Sequence, residues 1–137
     1  MTDPQATSRL LKRAQYRNHR AMDRALANIG TTLAQWDALR AISESPDSSA
    51  HDLAIVTFQS DQAFGTLANR LEAQGLIVRT SGRGRRVEHA LTAEGQRILD
   101  AGVTVAREVS DRSFEKLSFD EVNVLRELLD RVGEAPE

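Results

Sequence analysis

The fold is decided by residues 60–92, which read SDQAFGTLANRLEAQGLIVRTSGRGRRVEHALT. The first half repeats apolar residues at the three- and four-residue steps of an amphipathic helix, with Ser60 as its N-cap and Gly75 as its stop. The second half holds two short β-prone runs, 76–80 and 87–91, which indicate the strands of a hairpin. The stretch therefore predicts a helix followed at once by a hairpin.

The loop between the two predicted strands concentrates positive charge. It carries Arg83, Arg85 and Arg86, although the whole chain has a formal net charge of −2. Residues 1–91 hold 12 Lys and Arg against 9 Asp and Glu, whereas residues 92–137 hold 6 against 11. A weakly acidic chain argues against indiscriminate binding to polyanions, but a local basic patch is compatible with contacts to phosphate.

Three further helices are predicted before residue 60. Apolar positions recur at mostly helical spacing through residues 8–29. Thr32 begins a second helix and Ser49 begins a third, because each is a capping residue followed three positions later by Gln or Asp. The short third helix and the helix after Ser60 together form a helix-turn-helix pattern.

Two more helices are predicted after the hairpin. Helical spacing resumes after Thr92, and Ser118 has capping-box spacing to Glu121 at the start of the last helix. The terminal helical segments are thus 8–29 and 92–132.

These terminal segments flank a central lobe within one domain. The domain covers residues 1–137, the lobe residues 32–91, and the hairpin residues 76–91. The predicted fold class is mainly α with a small β-hairpin wing, which is a winged helix-turn-helix with additional N- and C-terminal helices.

Composition and spacing exclude several functional classes. The chain has no cysteine, so thiol catalysis, disulfides and cysteine-ligated zinc are ruled out. It has no apolar run of about 18 residues and no signal-peptide centre, so we expect a soluble cytoplasmic protein without a membrane partner. His19, His51 and His89 lack metal-ligand spacing, and no nucleophile or dinucleotide motif is present. We therefore expect no metal, no cofactor and no enzymatic activity.

The helix after Ser60 has a polar side that suits DNA. When Phe64, Leu67 and Leu71 face the core, glutamine, threonine and asparagine side chains lie on the opposite side. Glutamine can read adenine, threonine can contact a base, and an arginine at the far end suits a phosphate. The predicted DNA-contacting residues, including the loop arginines, are Ser60, Gln62, Ala63, Thr66, Asn69, Arg70, Arg83, Arg85 and Arg86.

The charged loop and the polar helix face also have simpler explanations. Charged turns and polar helix faces are common on any protein surface, and Trp36 and Phe64 are predicted core residues rather than ligand-stacking groups. Asp61 suits the positive end of a helix but would repel phosphate, so it either points aside or accepts from cytosine. Three functions stay open: a DNA-binding regulator, a winged-helix module for protein–protein contact, and an enzyme acting on a small molecule.

Four segments resemble the MarR family of bacterial transcriptional regulators in their order and spacing. They are TLAQWDALRAI at 32–42, HDLA at 51–54, ANRLEAQGLIVR at 68–79 and ALTAEGQRIL at 90–99. The resemblance implies a homodimer held together by the first and last helices that binds pseudo-palindromic operator DNA, usually as a repressor. It also implies frequent release by a small-molecule inducer, whose identity and binding residues the sequence does not indicate.

The wing departs from the family pattern in one place. Family members commonly carry Asp-x-Arg in the wing, with the arginine entering a minor groove. Counting back from Leu91 and Thr92 aligns that arginine with Arg85 and the aspartate with Arg83. The acidic residue that usually supports the wing is therefore missing, and Arg83 could add a phosphate contact instead.

Overall fold

The structure, a computed structural model, describes residues 3–82, 84 and 86–134. Within them, six helices and one two-stranded antiparallel sheet follow one another in the predicted order, which confirms the predicted fold class. None of the described helices is long and apolar enough to span a membrane. The elements are α1 (Pro4–Ala27), α2 (Leu33–Glu44), α3 (Ala50–Val56), α4 (Asp61–Ala73), β1 (Ile77–Ser81), β2 (Val87–Leu91), α5 (Ala93–Ser113) and α6 (Phe119–Gly133).

Hydroxyl side chains cap the N-termini of five of these helices. The hydroxyls of Thr32, Ser49, Ser60, Thr92 and Ser118 each accept a hydrogen bond from a backbone N–H in the first turn, and the sequence predicts all of these caps except that of Thr92. Each such cap contributes about 1 kcal/mol to stability. The backbone N–H groups of Ser49 and Ser118 also donate to the carboxylates of Asp52 and Glu121, which completes a capping box at each helix. Short polar signals thus set where the helices begin.

The first helix differs from its predicted bounds of 8–29. It ends at Ala27 and begins at Pro4. The early start arises because Asp3 accepts from the N–H of the second helical residue and Pro4 occupies the first position. Proline is tolerated there, since the first N–H of a helix has no partner within the helix. The apolar periodicity starts only later, so it understated the length of the helix.

The core lies where α2 meets α1, α4 and the hairpin. Leu39 of α2, Leu26 of α1 and Phe64 of α4 are at most 1% exposed. Trp36 is also buried, and its indole Nε1 donates a hydrogen bond to the backbone oxygen of Leu99 at 3.1 Å. The predicted core placement of Trp36 and Phe64 is confirmed.

Two glycines of α5 allow it to pack at backbone distance. A Cβ added at Gly102 would collide with the indole of Trp36, and one added at Gly95 would collide with the carbonyl oxygen of Leu76. Leu76 also accepts from the N–H of Thr92 at 3.0 Å. These contacts join α5 firmly to α2 and to the start of the wing.

α6 has no buried residue, whereas each of the other five described helices buries at least two. The first half of α1 is similarly uncovered. A single protomer therefore leaves apolar stripes open on both terminal helices. The exposed apolar side chains are Leu10, Leu11 and Tyr16 of α1 and Phe119, Val124, Leu128, Leu129 and Val132 of α6.

Candidate nucleic-acid interface

α3 and α4 form the helix-turn-helix, and the turn between them holds a residue in the left-handed region. Phe58 has a φ of 59° and its side chain is 95% exposed. Non-glycine residues seldom adopt this conformation, so the surrounding bonds must hold it. The Thr57 hydroxyl donates to the Leu53 oxygen at 2.7 Å, and the N–H of Gln59 donates to the Ala54 oxygen at 2.8 Å.

α4 turns its polar side outward, as the sequence predicts. Its opposite side is buried through Phe64, Ala68 and Leu71. With about 3.6 residues per turn, three of the outward residues form a row along the helix, which we call the reading row. The reading row consists of Gln62, Thr66 and Asn69, and these three side chains, like Ala63 and Arg70 beside them, are exposed.

The N-terminus of α4 is occupied by two polar contacts. The Ser60 hydroxyl accepts from the N–H of Ala63 at 3.0 Å, so its own hydrogen is left to donate. His51 Nδ1 of α3 lies 2.8 Å from Asp61 Oδ1, and this bond raises the pKa of the His51 imidazole. Asp61 therefore points aside toward α3, the first of its two predicted alternatives.

The inner face of the hairpin rests on α4. Arg79 pairs with His89 and Ile77 with Leu91 in the strand register. Alternate residues of a strand share a face, and the burial of Ile77 and His89 shows that this face is the inner one. The His89 ring meets the Phe64 ring edge-on, with centroids 6.0 Å apart. The wing is thus packed directly on α4.

Arg79 ties the wing to the exposed side of α4. Its Nη2 donates to Asn69 Oδ1 at 2.7 Å and to Glu72 Oε1 at 2.9 Å, while its backbone N–H donates to Glu72 Oε2 at 3.0 Å. The hydrogen bond from the Arg79 side chain lowers the pKa of the Glu72 carboxyl, which keeps the pair charged at neutral pH. An acidic residue therefore does hold the wing, but α4 supplies it.

Sequence reasoning missed Arg79 and Glu72. The only sequence signal for them is an arginine on the inward side of a predicted strand, where an apolar residue is usual. Such a charge requires a partner, and Glu72 is the acidic residue on the flank of α4 that meets the wing.

His89 is a buried group of the wing. Burial lowers the pKa of its imidazole, and the nearby charge of Arg79 acts in the same direction. Among the described residues, nothing forms a hydrogen bond with its Nδ1. The ring is therefore neutral near pH 7 and packs against Phe64 mainly as an apolar surface.

Of the three loop arginines, Arg83 and Arg85 lie outside the described residues. Arg86 is exposed, and its guanidinium donates to the backbone oxygen of Asp47 in the loop between α2 and α3. The backbone oxygen of Arg86 accepts from the N–H of Gly82 at 2.7 Å, which closes the hairpin. Arg86 thus links the wing to the segment that precedes the helix-turn-helix.

Two clefts open on the surface away from the reading row. One of about 480 Å³ lies between α1 and α5 and is flanked by Arg24 and Arg112, and one of about 140 Å³ lies between α2 and the end of α3. In the smaller cleft the Arg40 guanidinium stacks 5.3 Å from the Trp36 ring centre, and burial raises the pKa of Asp37. Within the described part of the chain, no cluster of His, Asp and Glu is arranged to hold a metal ion.

Comparison with known proteins gives one consistent family. The family model of the MarR family matches residues 29–86. The HTH-type transcriptional repressor Rv2887 of Mycobacterium tuberculosis is 29% identical over 111 residues, which are 80% of each chain. The crystal structure of a probable transcriptional regulator from Pseudomonas aeruginosa has a TM-score of 0.83 and 30% identity, with 91% of this chain and 95% of that chain covered.

Crystal structures of Rv2887 are also similar. Its complex with DNA has a TM-score of 0.76 and 26% identity, covering 93% of this chain and 97% of that chain. Its complex with p-aminosalicylic acid has a TM-score of 0.77 and 27% identity, covering 93% of this chain and 98% of that chain. These relatives are transcriptional regulators and not enzymes, in agreement with the expectation from the sequence. With this order of helices and hairpin, and with similarity to these regulators along most of its length, the chain belongs to the MarR family.

Proposed function

We propose that the protein is a sequence-specific, DNA-binding transcriptional regulator of the bacterial cytoplasm. The observation that carries this proposal is the reading row, an exposed set of hydrogen-bonding side chains on the second helix of a helix-turn-helix. A helix in this position enters the major groove, where such side chains reach base edges. Gln62, Thr66 and Asn69 contact bases in this proposal, and Ser60, Ala63 and Arg70 lie against the backbone or the groove wall.

The wing adds electrostatic contacts in the same proposal. Arg86 is exposed at the end of the hairpin loop, and the adjacent Arg83 and Arg85 give the loop its density of positive charge. We propose that Arg83 and Arg86 meet phosphates and that Arg85 enters a minor groove, as the family pattern implies. Such contacts raise affinity without reading sequence, except where a narrow groove is preferred.

The regulator acts as a homodimer on a pseudo-palindromic operator. The uncovered apolar side chains of α1 and α6 support this assembly. A two-fold interface formed by these helices would bury both stripes at once. It would also present two copies of α4 to successive major grooves, about one helical turn apart.

The regulator responds to a small ligand as a repressor. Rv2887 has been crystallised with DNA and with p-aminosalicylic acid, and it is named as a repressor. We propose the same kind of response here without assigning residues to the ligand. Titrating p-aminosalicylic acid into the protein–DNA complex, with benzoic acid in parallel, tests whether a small aromatic acid releases the DNA.

The experiment that tests the function uses the DNA upstream of the protein's own gene. Fluorescence anisotropy should show tighter binding to this DNA than to a shuffled duplex of the same composition at every salt concentration. Arg70→Ala should flatten the slope of log affinity against log salt by about 0.9 per lost phosphate contact. Equal binding to both duplexes would show non-specific DNA binding and contradict sequence specificity, and no binding to either would instead favour a winged-helix module that contacts other proteins.

A further inference from the structure

We propose that Arg79 fixes the Asn69 amide as a hydrogen-bond donor, so that each half-site carries guanine or thymine, not adenine, at the position that Asn69 reads. This inference rests on the proposed function and names a specificity determinant within it. Arg79 is a positioning residue, because it belongs to β1 and acts on DNA only through Asn69.

The chemistry of the two side chains decides which way the amide points. A guanidinium has only donors, so it can contact an asparagine only through the amide oxygen. Arg79 Nη2 lies 2.7 Å from Asn69 Oδ1. The Nδ2 amino group must then point away from the arginine. The donor-only guanidinium thus determines which of the two amide atoms, Oδ1 or Nδ2, faces it.

Arg79 is itself held in place on two sides. The Glu72 carboxylate accepts from its side chain at 2.9 Å and from its backbone N–H at 3.0 Å. In the strand ladder, Gly82 bonds to Arg86 and Thr92 bonds to Leu76. Since bonded and non-bonded pairs alternate in an antiparallel ladder, the N–H of residue 79 faces away from β2 and is free for Glu72.

The arrangement also places Asn69 at the right point of the surface. Asn69 is exposed and belongs to the reading row, whereas Glu72 and Arg79 lie on the flank where the wing meets α4. The side chain of Arg79 is only 26% exposed. The arginine is therefore a rigid support beside the reading row, and the amide is the group that faces the DNA.

A fixed donor changes what the asparagine reads. A free asparagine amide matches adenine, because its oxygen accepts from N6 while its nitrogen donates to N7. Here one lone pair of the oxygen is taken by a positive guanidinium, so the amino group of adenine or cytosine would have to share that oxygen with a second, charged donor. Guanine offers two acceptors and thymine one, and both suit the outward Nδ2.

The experiment is selection from a randomised half-site library, followed by sequencing, with the wild-type dimer and single variants. Asn69→Ala identifies the base in question as the position whose preference disappears. Arg79→Met removes the donor from the Asn69 oxygen, and Arg79→Gln replaces it with a side chain that can also accept a hydrogen bond. The Asn69 amide is then free to turn, and both variants should raise the adenine share at that position about tenfold. Arg79→Lys keeps a donor-only partner and should retain guanine or thymine.

Arg97→Met is the matched control. Arg97 is an exposed arginine of α5 whose guanidinium binds Glu94 at 2.5 and 3.0 Å. Its substitution therefore removes the same kind of ion pair from an element outside the wing. Arg97→Met should leave every base preference unchanged. Thermal melting serves to check that all variants are folded.

Two results would overturn the inference. One is a wild-type preference for adenine at the Asn69 position. The other is an unchanged preference in folded Arg79→Met and Arg79→Gln proteins, even with weaker binding, because that would make Arg79 merely structural. Failure of the wild type to enrich any sequence would contradict the proposed function itself, and with it this inference.

Discussion

α4 and α6 are amphipathic helices of similar length, with 13 and 15 residues, but a single chain completes only one of them. α4 buries its apolar side through Phe64, Ala68 and Leu71, which leaves its polar side exposed. α6 carries an equally regular apolar stripe and buries none of it. The apolar side of α4 is therefore covered within one protomer, whereas that of α6 is not.

The difference shows what helical periodicity does and does not reveal. A stripe of apolar residues predicts that something covers it, but the covering surface can come from the same chain or from another copy. For α4 the cover is α2, α3 and the inner face of the hairpin. For α6 we propose that it is the partner protomer.

The largest expected effect separates two phenylalanines. Phe64 is 1% exposed and Phe119 is 81% exposed. Phe64→Ala should lower the free energy of unfolding by about 3–5 kcal/mol, because it leaves a cavity in the core. Phe119→Ala should change the stability of the isolated protomer little and weaken the dimer instead. Urea unfolding at several protein concentrations measures both, and similar losses at all concentrations for the two variants would contradict the comparison.

A charge in the α6 stripe should break the dimer and leave the lobe folded. Leu128 is 47% exposed in the single chain, and Leu128→Glu would bury a carboxylate in the proposed interface. We expect dissociation to become easier by at least about 2 kcal/mol, as at interface hot spots. Light scattering reports the mass and circular dichroism the fold, with Glu127→Gln on the same exposed helix as control. A dimer that survives this change would place the interface elsewhere.

The contact between α5, which precedes α6, and α2, which packs on α4, should be sensitive to a single added methyl group. Gly102→Ala would push a Cβ into the Trp36 indole and disturb its hydrogen bond to Leu99. Overpacking of this kind costs about 1–3 kcal/mol. Gly65→Ala is the control, since a Cβ there meets nothing within 4 Å. Thermal unfolding with the same midpoint for both variants would show that α5 does not pack as described.

The smallest expected effect is a pH dependence of the wing. Burial lowers the pKa of His89 below its ordinary value of 6.5. The unfolded chain therefore binds more protons between the two values, so the stability is fully present above pH 6.5 and is lost as the pH falls through the folded pKa. His89→Leu should remove this loss.

His51→Gln is the control, because the hydrogen bond to Asp61 raises the pKa of the exposed His51. That histidine contributes in the opposite direction, with stability lost as the pH rises through its folded pKa. Denaturation midpoints between pH 5 and 8 separate the two. A His89→Leu protein with the wild-type pH profile would show that His89 is not the acid-sensitive group.

The sequence predicted the features that depend on neighbouring residues and missed those that depend on contacts formed only in the folded chain. The hydroxyl caps at Thr32, Ser49, Ser60 and Ser118 and the outward side of α4 follow from the local sequence and were predicted correctly, whereas the cap at Thr92 was not predicted. The start of α1 was missed because Asp3 and Pro4 precede the apolar pattern. The contact of Arg79 with Glu72 was missed because its geometry exists only after the hairpin has folded back onto α4. The roles of Arg83 and Arg85 stay predictions.

The central claim is that α4 reads bases while its other side completes the core. The direct test is the ratio of affinities for the selected operator and for random DNA, measured by anisotropy with Gln62→Ala and Thr66→Ala. Each variant should lose about 1–3 kcal/mol on the operator and little on random DNA. Equal losses on both DNAs, or no loss on either, would contradict the assignment of the reading row to base contacts.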